Sequence, residues 1–264
     1  MRSSVVVSIG NELLNGFTLN SNLREISRIL TIAGYQVARG IVVRDDPQEI
    51  GWAMDVSVDY DLVITTGGLG PTFDDITISS IAEHFGLKLV RNGEALKLIE
   101  NWYRKIGVVL TEERLKMAMM PEGARVIRNS RGAAPAMMLS WNKCTIISVP
   151  GVPVEAISIM EDLLEDLRVP GSHNGERVYR VEGAMESRIA PSLKTAMERI
   201  SGRVYIKSHP EGSESGVPGI VLQVTSSGDS KDEVEGLLDM TEKVLEELLS
   251  PLKLSHHSGR DIKS

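Results

Sequence analysis

The sequence contains a single cysteine, Cys144, among its 264 residues. One cysteine cannot form an intramolecular disulfide or a cysteine-based zinc cluster. Long apolar runs are missing too. The first apolar segment, residues 5–9, is shorter than a signal-peptide core, and no run reaches the roughly 20 residues of a membrane-spanning helix. These absences predict a soluble, cytoplasmic protein with no membrane partner.

Basic residues are outnumbered: the chain has 29 Lys and Arg against 36 Asp and Glu, so its net charge is −7. Binding to nucleic acid depends largely on Lys and Arg contacts with phosphates. Both halves of the chain carry the acidic excess, so we expect no nucleic-acid partner. The sequence also lacks a Walker A pattern, a His-Glu-x-x-His motif and a Nudix-type box of glutamates. These absences exclude the corresponding enzyme classes.

Strands and helices are predicted to alternate over the first part of the chain. Residues 5–9 form a short apolar segment, typical of a strand buried on both faces of a parallel sheet, and residues 61–66 and 145–149 are two further predicted strands. Asn20 is a candidate cap for an amphipathic helix that follows the first strand. Asp46, with Pro47 at the first helical position, predicts the start of another helix. This order predicts an α/β fold with three layers and a mostly parallel sheet.

A Pro-Gly-Ser-rich segment at residues 170–175 is the clearest linker in the sequence. The pattern beyond it changes to β-α-β-β-α, which predicts a small α+β domain. We therefore expect a first domain at 1–169, a second at 176–250 and a polar, frayed tail at 251–264. Residues 216–219 (GVPG) fit a KH-type GxxG motif. They lie between predicted strands in an acidic domain, so RNA binding is not expected from them.

Glycines and carboxylates follow the predicted strands at the places where open parallel sheets bind ligands. Gly10 and Glu12 follow the first strand and Asp45 follows the second. The glycine-rich segment 67–70 follows the third, and Pro150 with Gly151 follows the strand at 145–149. Glycine allows the backbone to approach an anion closely, and a following helix offers free N–H groups. The pattern predicts a phosphate-binding site at this sheet edge.

Each of these features also has a purely structural interpretation. The glycine segment could be a tight strand-to-helix turn, and Asp45, Asp74 and Asp75 could be helix caps. Glu12 could be a solvated loop residue. The convergence of all of them at one edge favours a binding site. Since carboxylates repel a phosphate unless a cation lies between them, Asp75, Asp45 and Glu12 are candidate ligands for Mg²⁺ or a similar divalent cation.

Four segments resemble motifs of a known family. Residues 65–77 (TTGGLGPTFDDIT) resemble the signature of the molybdopterin-binding fold of MoaB and MogA. Residues 9–16 (IGNELLNG), 129–135 (NSRGAAP) and 149–155 (VPGVPVE) resemble motifs of the CinA branch of that superfamily. The second domain is similar to the KH-like module of CinA proteins. Full bacterial CinA proteins also carry a nicotinamide-mononucleotide deamidase domain; nothing in this sequence corresponds to it, so we do not expect deamidation.

The resemblance implies two activities. CinA-type N-terminal domains are described as hydrolysing ADP-ribose to AMP and ribose 5-phosphate with a divalent metal and potassium. MogA-like relatives bind molybdopterin and transfer an adenylyl group. Asp45 and Asp75 match two critical Asp residues of the MogA branch. The hydrolase is the favoured hypothesis, and molybdopterin binding is the first alternative. A non-catalytic binding or dimerisation protein is the second alternative, and a homodimer is the expected assembly.

The catalytic candidates are therefore Asp45 and Asp75, acting on a small nucleotide. Arg131 is a candidate partner for a second phosphate, with a solvated loop arginine as the alternative. Asn22 is a candidate donor to ribose or water. The candidates for substrate and phosphate binding share a position at the predicted sheet edge or in the resembling motifs: Gly10, Glu12, Asn22, Thr66, Gly67, Gly68, Gly70, Pro71, Thr72, Arg131, Gly132, Pro150 and Gly151.

Overall fold

A computed structural model describes residues 2–200, 203–211, 219–250 and 252–256. The chain divides into two compact units, Met1–Arg168 and Val169–Ser264. The elements of the first unit are, in chain order, β1 (Arg2–Ile9), α1 (Asn11–Leu14), α2 (Ser21–Ile32), β2 (Tyr35–Val43), α3 (Pro47–Asp55), β3 (Leu62–Thr66), α4 (Thr77–His84), β4 (Leu89–Arg91), α5 (Gly93–Lys105), α6 (Glu112–Leu115), a 3-10 turn (Lys116–Ala118), β5 (Met119–Pro121), β6 (Arg125–Ile127), β7 (Ala136–Trp141), β8 (Cys144–Val149), α7 (Pro153–Asp162) and α8 (Leu164–Leu167).

Six strands of the described first unit form one sheet in the order β2-β1-β3-β8-β7-β6. The pairs β1–β2, β1–β3 and β3–β8 are parallel, which confirms the predicted α/β class. The sheet is mixed, because β7 pairs with β8, and β6 with β7, in antiparallel register. The turn Asn142-Lys143 joins β7 to β8, with Asn142 at a φ of 53°. A connection this short can join only antiparallel neighbours.

Helices cover both faces of this sheet. On one face, Val5 and Val7 of β1 lie in a core cluster with Met54 of α3, Ile81 of α4 and Ile99 of α5. On the other, α2 contacts β1, β2 and α7, and its Ile26 and Leu30 are fully buried. Since side chains alternate across a strand, a strand with helices on both sides is buried along both faces, as in β3, whose five residues are all buried. This explains the high apolar content of the central strands.

Two predicted helix starts are confirmed. The Asn20 side chain accepts a hydrogen bond from Leu23 N at 3.1 Å and caps α2. The Asp46 side chain accepts from the backbone N–H groups of the second and third residues of α3, with Pro47 at the first position. The helical segment that begins at Pro153 is divided, since α7 ends at Asp162 and α8 follows.

The second unit consists of β9 (His173–Glu182), α9 (Glu186–Arg199), β10 (Val204–Glu211), β11 (Gly219–Gly228), α10 (Lys231–Leu249) and β12 (Leu254–His256). The described strands form an antiparallel sheet in the order β10-β11-β9-β12. The predicted β-α-β-β-α order is present, and β12 extends it. Tyr179 of β9 is fully buried in the core of this unit, and burial raises the pKa of its hydroxyl to about 12.

Two boundary predictions for the second unit need correction. The predicted linker at 170–175 overlaps β9, which begins at His173. The predicted frayed tail at 251–264 contains β12, whose residues pair with Tyr179 to Val181 of β9. A three-residue strand forms through pairing with a distant strand, so the local sequence pattern does not predict it. Pro251, residues 257–264 and residues 212–218 lie outside the described residues, and the last of these segments includes the first three positions of the GxxG motif at 216–219.

Candidate functional site

The segments that follow four strands lie side by side at one edge of the main sheet. Gly10 N donates to Val43 O at 3.1 Å, and Gly67 N donates to Val149 O at 3.1 Å. The hydrogen bonding of the parallel strands thus continues for one residue beyond their carboxyl ends. This is the edge at which parallel sheets bind ligands.

A pocket of about 390 Å³ opens at this edge. Its volume lies in the range of roughly 300–1,000 Å³ that is usual for small-molecule sites. The lining residues are Ile9, Gly10, Glu12, Asp45, Gly67, Gly68, Leu69, Gly70, Pro71, Thr72, Asp74, Asp75, Tyr103, Met117, Ala133, Ala134, Pro150, Gly151, Val152 and Glu155. Most of the predicted site residues are therefore brought together. Four are not part of the lining: Asn22, Thr66, Arg131 and Gly132.

The glycine segment after β3 can exist only with glycine at its first two positions. Gly67 has a φ of 110°, and a Cβ there would collide with the backbone oxygen of Ile9. Gly68 has a φ of 66°, and a Cβ there would collide with the hydroxyl of Thr77. That hydroxyl donates to Gly67 O at 2.8 Å. The segment is therefore a fixed, bare stretch of backbone against which an anion can lie.

Asp75 closes a loop rather than capping a helix. Its Oδ2 accepts from Thr72 N at 2.8 Å and from Thr72 Oγ1 at 2.6 Å. The helix α4 begins only at Thr77, after Ile76, which makes no side-chain cap. The cap interpretation of Asp75 is therefore wrong. Its carboxylate holds the loop between the glycine segment and α4.

Asp74 shares the hydroxyl of Thr72 with Asp75. The same Thr72 Oγ1 contacts Asp74 Oδ1, although a hydroxyl has one proton and can donate to one acceptor at a time. The Thr72 hydroxyl lowers the pKa of Asp74, and the charge of Lys116 lowers it further. Lys116 Nζ also donates to Thr72 O at 2.5 Å. This lysine ties the 3-10 turn to the same loop.

Asp45 and Glu12 are folded against the backbone on the β1–β2 side of the pocket. Asp45 Oδ2 accepts from Asn11 N at 2.9 Å, at the start of the short helix α1. The Glu12 carboxylate lies over Gly10: a Cβ on that glycine would be 2.5 Å from Glu12 Oε1. Sequence reasoning missed α1, because a four-residue helix has too few positions to show a helical period.

The predicted metal-binding set of Asp75, Asp45 and Glu12 needs correction. Among the residues that the structure describes, no three His, Cys, Asp or Glu side chains come close enough to hold a metal ion. The reason is local, since Asp75 turns to Thr72 and Asp45 turns to Asn11. Magnesium at phosphate sites is usually held by one or two carboxylates together with the substrate's phosphates. The described residues do not form a cage of three carboxylates.

Asn22 and Thr66 lie behind the pocket wall. Asn22 is 7% exposed, and its Nδ2 donates to Thr66 Oγ1 at 2.8 Å and to Gly151 O at 2.8 Å. Thr66 Oγ1 donates in turn to Pro150 O at 3.0 Å. We call this group the asparagine clasp. It joins α2, the end of β3 and the loop after β8, so the two residues predicted to bind ligand instead hold the wall in place.

Asn129 organises another part of the pocket wall. Its Oδ1 accepts from the backbone N–H groups of Arg131 and Gly132, each at 2.9 Å. Its Nδ2 donates to Ala134 O at 2.9 Å and to Glu155 Oε2 at 2.6 Å. The Gly132 backbone lies directly under the Glu155 carboxylate. Arg131 itself is exposed and lies outside the pocket lining, in agreement with a solvated loop arginine.

Sequence reasoning missed Glu155, Tyr103 and Met117 as pocket residues. Glu155 had a local signal, an acidic residue in the first turn of the helix after β8. Tyr103 and Met117 had none, because α5 and the 3-10 turn reach the pocket only through the folding of the chain.

The charge of the lining has one sign. Five carboxylates line the pocket: Glu12, Asp45, Asp74, Asp75 and Glu155. No Lys, Arg or His is found among the described lining residues. A bare phosphate would be repelled here. An anionic ligand needs either the backbone N–H groups of the glycine segment or a cation that it brings with it.

A family model described as a probable molybdopterin binding domain matches residues 5–169. A protein of Caldivirga maquilingensis is 44% identical over 232 residues, which cover 88% of this chain and 90% of that protein. The crystal structure of the protein CinA of Thermoplasma acidophilum, described there as of unknown function, is 42% identical. It covers 63% of this chain and 98% of its own, with a TM-score of 0.59. This chain is a CinA-like member of the molybdopterin-binding-domain family.

The membership confirms the resemblance that the motifs at 9–16, 65–77, 129–135 and 149–155 indicate. All four motifs contribute to the pocket or to its walls. In this CinA-like protein, none of the described helices is both long and apolar enough to span a bilayer.

Proposed function

We propose that this CinA-like protein is a divalent-cation-dependent nucleotide pyrophosphatase that hydrolyses ADP-ribose-like diphosphates to AMP and ribose 5-phosphate. One observation carries the proposal. The bare backbone at Gly67 and Gly68 lines the same pocket as the carboxylates of Asp45 and Asp75. A diphosphate needs donors for its oxygens and a cation that neutralises its charge. The glycine segment is proposed to supply the donors, and the two carboxylates are the proposed ligands of the cation.

The backbone N–H groups of residues 68–70 are proposed to donate to the oxygens of one phosphate, since the N–H of Gly67 already donates to Val149 O. Asp45 and Asp75 use Oδ2 to hold their loops, so Oδ1 of each is the atom proposed to face a cation. A divalent cation bound with the substrate supplies charge neutralisation and a more acidic water. The oxygen of water attacks one phosphorus, the bond from that phosphorus to the bridging oxygen breaks, and the water protons pass to the products.

The second candidate is a molybdopterin-binding protein of molybdenum cofactor biosynthesis. The description of the matching family model favours it. A pterin that carries a phosphate would use the same glycine segment, so the pocket alone does not separate the two activities. A non-catalytic binding or dimerisation protein is the third candidate. The proposed cofactors are Mg²⁺ or a similar cation with potassium, and the proposed assembly is a homodimer.

The test is a substrate screen with the purified protein. ADP-ribose is compared with ATP plus molybdopterin, each with and without Mg²⁺, and AMP, ribose 5-phosphate and adenylylated pterin are quantified. The expected result is cation-dependent release of AMP and ribose 5-phosphate from ADP-ribose. Arg131→Ala is the matched control, because Arg131 is exposed and outside the lining, and it should retain full turnover.

Turnover of ATP plus molybdopterin without turnover of ADP-ribose would replace the proposal with the second candidate. Absence of both reactions, with a homodimer in solution, would favour the third.

A further inference from the structure

One wall of the pocket is apolar and carries an aromatic ring. Tyr103 of α5 and Met117 of the 3-10 turn both line the pocket. Met117 is otherwise enclosed, with 4% of its surface exposed, and Tyr103 is half-buried against the main core. The whole sequence has only 5 Tyr, 3 Trp and 3 Phe, so few rings are available to any site in this chain.

The Tyr103 ring makes a cation–π contact with an arginine. The Arg114 guanidinium of α6 lies 4.7 Å from the ring centroid, within the distance of a cation–π contact. Arg114 is itself anchored, because its NH1 donates to the backbone oxygen of Val109. The guanidinium contact restricts the ring, and Tyr103 still contributes surface to the pocket lining.

This wall is joined to the phosphate-binding segment. Lys116, the residue before Met117, donates from Nζ to Thr72 O at 2.5 Å. Thr72 lies two residues beyond Gly70, and both line the pocket. A ligand whose phosphate lies on the glycine segment therefore has an aromatic and a thioether side chain within the same cavity of about 390 Å³.

The acidic lining of the pocket favours recognition of an uncharged part of the ligand by the apolar wall at Tyr103 and Met117. Five carboxylates and no basic side chain are found among the described lining residues, so ion pairs with the lining do not hold an anionic ligand. An uncharged, planar group that stacks on a ring gains affinity without charge, typically about 1–3 kcal/mol per base. Methionine sulfur adds favourable contacts with the edge of an aromatic ring.

We propose that Tyr103 and Met117 form a subsite for the planar heteroaromatic ring of a phosphorylated ligand. The proposal rests on the proposed function for the position of the phosphate and names the part of the ligand that the protein recognises beyond it. Adenine and pterin share this chemistry. The ring stacks on the exposed surface of Tyr103, while the phosphate lies on residues 67–70.

The experiment measures binding to the full chain by calorimetry in the presence of Mg²⁺. The probes are AMP, a pterin monophosphate and ribose 5-phosphate, of which the last has no aromatic ring. Tyr103→Ala should weaken binding of the ring-bearing probe by roughly 5- to 100-fold, the effect of losing one stacked base. It should leave ribose 5-phosphate unchanged. Tyr103→Phe keeps the ring and should bind as the unmodified protein does.

Tyr205→Ala is the matched control, because Tyr205 is an exposed tyrosine of the second unit. If Tyr103→Ala weakens binding of AMP, the subsite takes adenine; if it weakens binding of the pterin monophosphate, the subsite takes a pterin. Within one variant, the affinity for the ring-bearing probe divided by the affinity for ribose 5-phosphate corrects for partial loss of folding.

Three results would overturn the subsite. The first is an equal loss of affinity for ribose 5-phosphate and for both ring-bearing probes. The others are unchanged binding in Tyr103→Ala and failure of the unmodified protein to bind either ring-bearing probe. Absence of ADP-ribose turnover with Tyr103-dependent AMP binding would overturn only the proposed hydrolase.

Discussion

The carboxylates of the pocket differ in what holds them. Asp75 accepts two hydrogen bonds from Thr72, Asp45 accepts one from Asn11 N, and Glu155 accepts one from the Asn129 amide. Each bond fixes a loop, and each leaves the carboxylate with its negative charge. A substitution that keeps the hydrogen bond and removes the charge therefore separates the structural role from the chemical one.

Asp75→Asn is that substitution. The amide oxygen of Asn can still accept from Thr72 N, so we expect the melting temperature to change little. An amide is a much poorer ligand for a hard cation than a carboxylate, so turnover of ADP-ribose should fall by orders of magnitude. Asp45→Asn should lower turnover to a similar extent, and Asp74→Asn should lower turnover less. The measurements are turnover, Mg²⁺-dependent ADP-ribose binding and melting temperature for the three variants.

Turnover of Asp75→Asn close to that of the unmodified protein would remove Asp75 from the proposed catalytic site. A large fall in its melting temperature would instead show that the charged form is needed for folding.

Cys144 should be chemically inert in the folded protein. It is 1% exposed at the start of β8. Burial, followed by the charge of Asp61, raises the pKa of its thiol to about 11. Because the thiolate is the reactive form, a thiol reagent at pH 8 should label the native protein far more slowly than the protein unfolded in guanidinium. The pKa of the thiol is higher in the folded protein than its value of 9.0 in the unfolded chain. The buried thiol therefore contributes to the free energy of unfolding below pH 9, and this contribution is lost as the pH rises through about 11. Equal labelling rates for native and unfolded protein would contradict the buried position.

At the scale of elements, the asparagine clasp holds three of them together. A single amide nitrogen of α2 bonds both the end of β3 and the loop after β8. That loop passes close to the glycine segment, since a Cβ on Gly151 would lie 3.3 Å from the Cα of Gly67. The distance between two walls of the pocket therefore depends on one side chain that does not line it.

Asn22→Asp should break this clasp. A carboxylate cannot donate to the Gly151 oxygen, and a buried group left without its partner costs about 1–3 kcal/mol. Asn101→Asp makes the same chemical change on the exposed face of α5 and is the control. We expect urea unfolding to show a lower free energy of unfolding for Asn22→Asp, with AMP binding weakened as well. Unfolding curves that coincide for the two variants would mean that the clasp contributes nothing.

At the scale of the whole molecule, every residue of the pocket lining lies between Ile9 and Glu155. The first compact unit, Met1–Arg168, contains all of them, and its core cluster is built from its own residues. A unit with its own core can in principle fold alone. The second unit supplies none of the described lining residues.

We therefore expect a fragment of residues 1–168 to fold and to bind Mg²⁺ and AMP with the affinity of the full chain. Circular dichroism and thermal unfolding establish whether the fragment is folded, and calorimetry measures binding. A fragment that unfolds cooperatively yet loses binding would show that the second unit contributes to the site. In that case Tyr205→Ala would no longer serve as a neutral control.

The sequence by itself determined the local features of this protein. Asn20, Asp46 and Pro47 act on backbone groups within three residues of themselves, so their effects can be read without the fold. The apolar strands required a sheet covered on both faces. The convergence of Gly10, Asp45 and the glycine segment followed from the parallel order of the strands, since strands that run the same way end at the same edge.

Only the tertiary structure decided which side chains line the pocket. Asn22 and Gly151 are 129 residues apart, so a residue predicted to bind substrate became a clasp through contacts that no local pattern contains. Tyr103 entered the pocket because α5 packs on the main core. Secondary structure depends mainly on neighbours in the chain, whereas the direction of a pocket side chain depends on partners brought close by folding.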